Sequence, residues 1–231
     1  MDRPGGASLF PATFEGGAST RRRRPATARP RTNPWKARRS NAARASRKVL
    51  VRRMQDLDDH FDTLRTTSSR RPAVDRRSYR DAMASIGATV GLATARLGDE
   101  RIGRTVTSYF SLSLEPPAIL VSIDRESRLA ECIAATAGFS FAMLADGQQP
   151  VADAFAGAAD PAERFRHGRW TAWKSGHPRL EDTLVTMDCE VIGVIETATH
   201  RLVAGCVVDI ETSGDRAPLI WHRRRYHGLE A

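Results

Sequence analysis

Residues 103–117 read GRTVTSYFSLSLEPP. More than half are Thr, Ser, Gly or Pro, yet Val106, Phe110, Leu112 and Leu114 fall at the even spacing of a strand. Side chains alternate along a strand, so Thr105 and Thr107 share one face while Val106 and Ser108 share the other. A row of β-branched hydroxyls is what an ordinary sheet edge carries. It also suits a polar, planar ligand lying beside the strand, contacted by hydroxyls and backbone N–H groups. Pro116–Pro117 ends the strand, and AILVSI after it is apolar on both faces, as in a strand covered on both sides.

Working outward, DRRSYRDAMASI spaces Tyr79, Met83 and Ile86 about one turn apart, which predicts a helix ended by Gly87. ATVGLATARL reads as a strand closed by the turn GDER, and the quoted stretch as the strand after it. ESRLAECIAAT is a helix opened by polar residues. GFSFAMLA is a strand with Phe139, Phe141 and Met143 on one face and Ser140 and Ala142 on the other. QPVADAFAG is a short helix, and a loop holding Trp170 and Trp173 runs to Pro178. TLVTMDCEVIGVIE alternates until Ile192–Gly193–Val194, where the break predicts a bulge or a second covered face. HRLVAGCVVDIE and APLIWHRRRYHG finish the chain as strands. Six or seven strands joined by short turns, with two or three short helices, favour an antiparallel barrel over a doubly wound sheet.

The charge is divided unevenly. Residues 1–72 hold 18 basic and 6 acidic residues, a net of +12, whereas residues 73–231 hold 18 and 21, a net of −3. Residues 1–49 show no hydrophobic period, so 1–72 is read as a disordered Arg-rich extension and 73–231 as one folded domain. The extension has three readings: a nucleic-acid-touching tail, a transit peptide, or a stretch preceding a true start at Met54. A domain at −3 gives nucleic-acid binding no support.

Cys132, Cys189 and Cys206 are an odd count without close spacing, which argues against a disulfide framework and a zinc site and for buried thiols in a reducing cytoplasm. No apolar run approaches membrane-spanning length, and the first residues lack the apolar stretch of a signal peptide. No Gly-x-Gly-x-x-Gly, Gly-x-x-x-x-Gly-Lys-Ser/Thr, His-Glu-x-x-His or Gly-x-Ser-x-Gly occurs, and the six histidines lack metal-ligand spacing. Hydrolytic and metal chemistry are not supported. DRESR supplies a positive feature: Ser127 can cap the following helix and Arg128 falls in its first turn, a place where an anion is held.

YRDAMASIGATVGLAT, GRTVTSYFSLSLEPPAILVSIDRESR, GFSFAMLADGQQPVADAFAG, HPRLEDTLVTMDCEV, THRLVAGCVVD and PLIWHRRRYHGL resemble, in this order, the flavin reductase-like family of FMN-binding split β-barrels. The resemblance spans roughly residues 76–229, and its most specific segment is Ser-x-Glu-Pro-Pro at 113–117. It implies a mainly β fold, a six-stranded antiparallel Greek-key split barrel with a few short helices, usually a homodimer. It implies NAD(P)H-dependent reduction of FMN, FAD or riboflavin, with hydride passing from nicotinamide C4 to flavin N5, and delivery of reduced flavin to a partner oxygenase. Carried over by position, Thr105, Val106, Thr107 and Ser108 contact the flavin, Ser122 lines the same cleft, Ser127 and Arg128 hold the phosphate, and Ala142 and Met143 flank the ring. His200 matches a position linked to the nicotinamide, and Tyr226 one near the same cleft. Arg104 stands where the family has an apolar residue, and Thr197–Ala198–Thr199 replaces its approach to the histidine. A flavin-binding electron carrier or sensor of the same fold, without turnover, is the other reading.

Overall fold

The structure, a computed structural model, describes residues 69–229. The extension expected over 1–72 therefore lies almost wholly outside the described residues, as does residues 54–68 of the short helix expected there. Helix α1 spans Arg76–Ala84, capped by Asp75, whose carboxylate accepts from the N–H groups of Arg77 and Ser78. A hydrogen bond from the Ser78 hydroxyl, and then these backbone bonds, hold the Asp75 carboxyl below its ordinary value.

The next segment divides where the sequence suggested one strand. Strand β1 (Ala88–Thr89) pairs with β11 (Leu219–His222), and β2 (Gly91–Leu97) joins a different sheet. Val90 is the switch: its N–H donates to Leu219 O at 2.9 Å, and its carbonyl accepts from Leu144 N.

The quoted stretch also divides. Strand β3 is Glu100–Val106 and β4 is Tyr109–Leu114, with Thr107–Ser108 between them as a corner. Strand β5 (Pro117–Asp124) follows the Pro-Pro break. Phe110, Leu112 and Leu114 therefore do not fill the core but are exposed on β4. The even spacing also fails to hold: the register with β5 skips at Leu112, which sets Phe110 and Leu114 on opposite faces, and no local signal marks that irregularity.

Helix α2 (Arg128–Thr136), β6 (Gly138–Met143) and helix α3 (Gln149–Asp153) come next, followed by a π-turn at Ala154–Ala158 and a 3₁₀ turn at Arg164–Arg166. The stretch expected to be a tryptophan loop contains a small hairpin, β7 (Trp170–Ala172) with β8 (Pro178–Leu180). Strands β9 (Val185–Glu196) and β10 (His200–Thr212) form the long hairpin. Its register skips at Ile192, the bulge that the broken alternation predicted.

The seven-stranded sheet runs β3-β2-β6-β9-β10-β5-β4, with every pairing antiparallel. Its two edge strands, β3 and β4, are consecutive in the chain and separated by two residues. Such a link spans at most about 11 Å, so the sheet must curl until its edges meet. At the corner Ser122 N–H donates to Ser108 O at 2.9 Å, carrying the β4–β5 ladder one residue beyond Tyr109. This is the mainly β, Greek-key barrel with a few short helices that the strand pattern predicts. The sheet itself holds seven strands rather than six, because β3 and β4 are separate.

Two apolar clusters lie on its two faces. One, inside the curl, joins Ala93, Ile119, Val121, Phe139, Phe141, Met187 and Val203 to Leu129, Cys132 and Ile133 of α2. The other holds Val90, Leu92, Ala142, Leu144, Phe155 and Leu219 under α3 and the C-terminal strands. Burial pushes the Cys132 thiol up to about 12 and the Cys189 thiol higher still, so both are inert buried thiols.

The C-terminal stretch is a hairpin, β11 with β12 (Arg225–Gly228), turning on Arg223 and Arg224 at φ 50° and 61°. Two residues with positive φ make a type I′ turn, where glycine costs less than arginine. Arg223→Gly keeps the backbone bond from residue 223 N–H to Ala84 O and should raise stability by about 0.5 kcal/mol, read as a higher thermal midpoint.

A buried polar network fastens the 173–178 loop to the barrel. Trp173 Nε1 donates to Ser140 Oγ at 3.0 Å, Ser175 Oγ to Asp188 Oδ1 at 2.9 Å, and Arg96 N–H to His177 Nδ1 at 3.2 Å. His177 is 5 % exposed, with Nε2 facing Gly138. Burial lowers its pKa, and the Asp188 charge only partly opposes this. The folded chain then binds a proton at His177 more weakly than the unfolded chain. Stability from this group is whole above the ordinary value of about 6.5 and declines as pH falls from there toward the lowered folded value. Denaturant unfolding of wild type and His177→Asn between pH 7.5 and 5 should show a steeper acid loss in wild type.

Candidate functional site

The corner between β3 and β4 is the place where the sheet's edges meet and where hydroxyls reach solvent. Thr107 and Ser108 are exposed there, and Val106 beside them is half-buried. Register sets Val106, Gly91 and Met143 in one row across β3, β2 and β6, with Thr105, Leu92 and Ala142 in the next. A side chain at Gly91 would meet the rings of Phe141 and Tyr109, its Cβ lying only 2.5 Å from Phe141 Cζ, so those rings take the space over Gly91 and the row packs on the inner cluster. Met143 is half-buried at its end. Ala142 is buried in the second cluster and underlies the row rather than facing solvent. The Tyr109 phenol is hydrogen-bonded to the Thr89 hydroxyl, and burial raises its pKa.

Thr105 does not present its hydroxyl to the corner. Its Oγ1 donates to Ala152 O at 2.7 Å, at the end of α3. The next residue, Asp153, accepts a 2.7 Å hydrogen bond from the Tyr226 hydroxyl. Thr105 and Tyr226, 121 positions apart in sequence, are thus fastened to adjacent residues. The Tyr226 ring meets Trp221 edge-on at 4.7 Å, and burial followed by the Asp153 carboxylate raises its phenol well above the ordinary value. Asp153 was missed by the sequence reading. QPVADAFAG announces a helix, but nothing local pairs its carboxylate with a tyrosine near the end of the chain. The π-turn that follows, with Gly157 at φ 118°, is a local departure of a kind frequent at functional sites.

A second group gathers where β5 meets the β9–β10 turn. Ser122 is half-buried opposite Leu202, and His200 stands opposite Asp124. Arg125 N–H donates to Thr199 O at 3.1 Å, tying the His200 turn to the start of α2. Within that turn, Thr197 Oγ1 accepts from His200 N–H and donates to His200 O, while Thr199 Oγ1 and His200 Nδ1 are 2.9 Å apart. His200 is exposed with its ring oriented. Ser127 caps α2: its Oγ accepts from Ala130 N–H and donates to Asp124 O. Arg128 is not an open cation. Its guanidinium is 2.6 Å from both Glu100 and Glu131, and those carboxylates bind its proton more firmly. The Ser122–Ser108 hydrogen bond joins this group to the corner, so both groups border it.

These residues offer neutral hydroxyls, half-buried apolar side chains at Val106 and Met143, a capped helix start and an oriented imidazole. No two carboxylates face each other and no Ser or Cys is activated among them, so the arrangement can hold and orient ligands but has no nucleophile. Among the described residues no helix is long and apolar enough to cross a membrane.

Known proteins agree with this picture. The profile of the flavin reductase like domain matches residues 83–230. An FMN reductase (NADH) RutF of Ancylobacter novellus is 33% identical over 169 residues, covering 73% of this chain and 93% of its own. An NADH:riboflavin 5′-phosphate oxidoreductase of Streptomyces pristinaespiralis is 38% identical over 161 residues, covering 68% and 90%. Among solved structures, nitrilotriacetate monooxygenase component B of Mycobacterium thermoresistibile superposes with a TM-score of 0.63 at 28% identity, covering 68% of this chain and 87% of that one. With the barrel, the corner and these matches in agreement, the chain belongs to the family of flavin reductase like domains.

Proposed function

We propose that this protein is an NAD(P)H-dependent flavin reductase acting on FMN, FAD or riboflavin, and that it supplies reduced flavin to a separate oxygenase. The observation that carries this is the corner itself: exposed hydroxyls of Thr107 and Ser108 at the end of β3, next to half-buried Val106, in a chain of this family. The donor set fits a flavin, because an uncharged ring asks for hydroxyls, backbone groups and apolar contact, and its phosphate for a helix start. Thr107, Ser108 and Ser122 would hold the ring and ribityl chain, with Thr105, Val106, Ala142 and Met143 shaping the floor. Ser127 and the first turn of α2 would take the phosphate, with Arg128 beside it. Flavin held by these residues would supply the redox chemistry, as the acceptor of hydride from a nicotinamide.

The protein's own part is placement. His200, held by Thr197 and Thr199, and Tyr226, held by Asp153, would fix the nicotinamide against the flavin, where about 3–3.5 Å between reacting atoms is required. No proton donor is needed for hydride transfer, in keeping with the absence of an acid–base pair among these residues. Component B of a monooxygenase among the similar structures supports an oxygenase as recipient, and cytoplasmic working conditions fit the inert buried thiols.

The exposed apolar side chains of β4, Phe110 at 56% and Leu114 at 84%, favour a homodimer, since large apolar groups left in water invite a partner. Fluorescence titration of the full chain with FMN and riboflavin tests the site. Saturable binding weakened by Ser108→Trp is the expected outcome. Absence of binding at saturating flavin would remove the reading.

A further inference from the structure

None of the nine residues of α1 is buried. Tyr79 and Met83, one turn apart, are 57% and 43% exposed, and Ile86 just past the helix end is 53% exposed. The three fall on one stripe. A helix of this length hardly holds itself in water, and most helices draw their stability from packing such a stripe. Helix α1 instead meets the barrel at its C-terminal end, where Arg223 N–H donates to Ala84 O at 2.7 Å and Arg224 pairs with Asp81. The stripe stays open among the described residues.

The same place is strongly basic. Arg76, Arg77 and Arg80 on α1, and Arg223, Arg224 and Arg225 on the adjoining hairpin, are all exposed. They crowd together in a domain whose residues 73–231 carry a net charge of −3. Asp81 answers Arg77, at 3.8 Å, and Arg224. An apolar stripe bordered by arginines is complementary to an amphipathic helix bordered by carboxylates.

The chain carries such a segment just upstream. Residues 54–64, MQDLDDHFDTL, lie outside the described residues and outside the family match over 83–230. They hold four Asp and no Lys or Arg. At helical spacing Met54, Leu57, Phe61 and Leu64 share one face. Asp58 and Asp62 border that face on the same rotational side as Arg76 and Arg80 border the α1 stripe. An antiparallel helix pair brings same-side borders together. The connecting residues 65–75 reach at most about 40 Å, against about 14 Å for the length of α1, so the chain can fold back along it. A tethered segment also competes with free partners at an effective concentration on the order of millimolar.

We propose that residues 54–64 dock as an amphipathic helix on the Tyr79–Met83–Ile86 stripe of α1, with Asp58 and Asp62 against Arg76 and Arg80. This contact belongs to the chain's own extension and stands whether or not the corner holds flavin.

The test is amide hydrogen exchange of the full-length protein at two concentrations about tenfold apart. Wild type is compared with Leu57→Asp/Phe61→Asp and with Asp58→Asn/Asp62→Asn. Wild type should protect both 54–64 and 76–84, equally at the two concentrations. The first variant should speed exchange over 76–84 on the order of tenfold or more, with β6 unaltered. The second should speed it by a smaller factor that shrinks in high salt. Unaltered exchange over 76–84 in Leu57→Asp/Phe61→Asp overturns the proposal, as does an unprotected 54–64 in wild type. Protection of 76–84 that rises with concentration also overturns it, and gives the stripe to a second copy of the chain.

Discussion

Phe141→Ala should cost about 3–5 kcal/mol of folding free energy, the largest stability effect expected from a single truncation here. Phe141 is 0% exposed at the middle of β6, with register partners Ala93 on one side and Met187 on the other. Its ring lies 4.6 Å from that of Tyr109 and fills the space left open by Gly91. Because the ring touches β2, β4 and β9 together, neighbours on three strands would have to move at once to fill the cavity. Domains of this kind are stable by about 5–15 kcal/mol in all, so about a fifth or more of the total is at stake. Phe141→Leu retains much of the volume and should cost about 1.5 kcal/mol or less. Denaturant unfolding of both variants is the check, and a loss below about 1 kcal/mol for the alanine would mean that the barrel closes differently. Since Tyr109 follows Ser108, the same truncation should also weaken flavin binding in whatever fraction stays folded.

The largest effect on turnover is expected at His200. His200→Ala should lower flavin-dependent NADH oxidation on the order of tenfold or more, mainly through KM for NADH, with flavin affinity little changed. Ring orientation by Thr199, and backbone bonds to Thr197 on both sides of His200, give the imidazole one position at the mouth of the β9–β10 turn. The turn is tied to Arg125 and hence to the start of α2. Since those backbone bonds survive the substitution, the variant should melt with wild type, which separates loss of ligand positioning from loss of fold. Equal falls in flavin and NADH affinity would instead give His200 a purely structural place. Turnover identical to wild type would remove it from the site.

Much of this was legible in the residues. The alternation of GFSFAML, the Ser127 cap, the Pro-Pro stop and the Ile192 bulge are local signals, and each marks an element where it occurs. What escaped was always a matter of partners. Residues 88–97 look like one strand because both halves are apolar; only the arrival of Leu219 and Leu144 at Val90 divides them. The apolar positions of β4 have the same period as a buried strand, and their exposure depends on which strands lie across the barrel. Arg128 reads as a free cation until Glu100, 28 positions earlier in the chain, is brought against it. Asp153 reads as a helix residue until Tyr226 reaches it. Period and capping are written in neighbours along the chain, whereas the electrostatic state of a site depends on contacts made by folding.

The central claim is that the β3–β4 corner holds a flavin for reduction by a nicotinamide, and its most direct measurement is NADH consumption by the full-length protein with and without added FMN. The account predicts slow oxidation without flavin and a saturable rise with it, diminished by substitution at Ser108. No flavin-dependent consumption of NADH or NADPH, from protein shown to be folded, would contradict it.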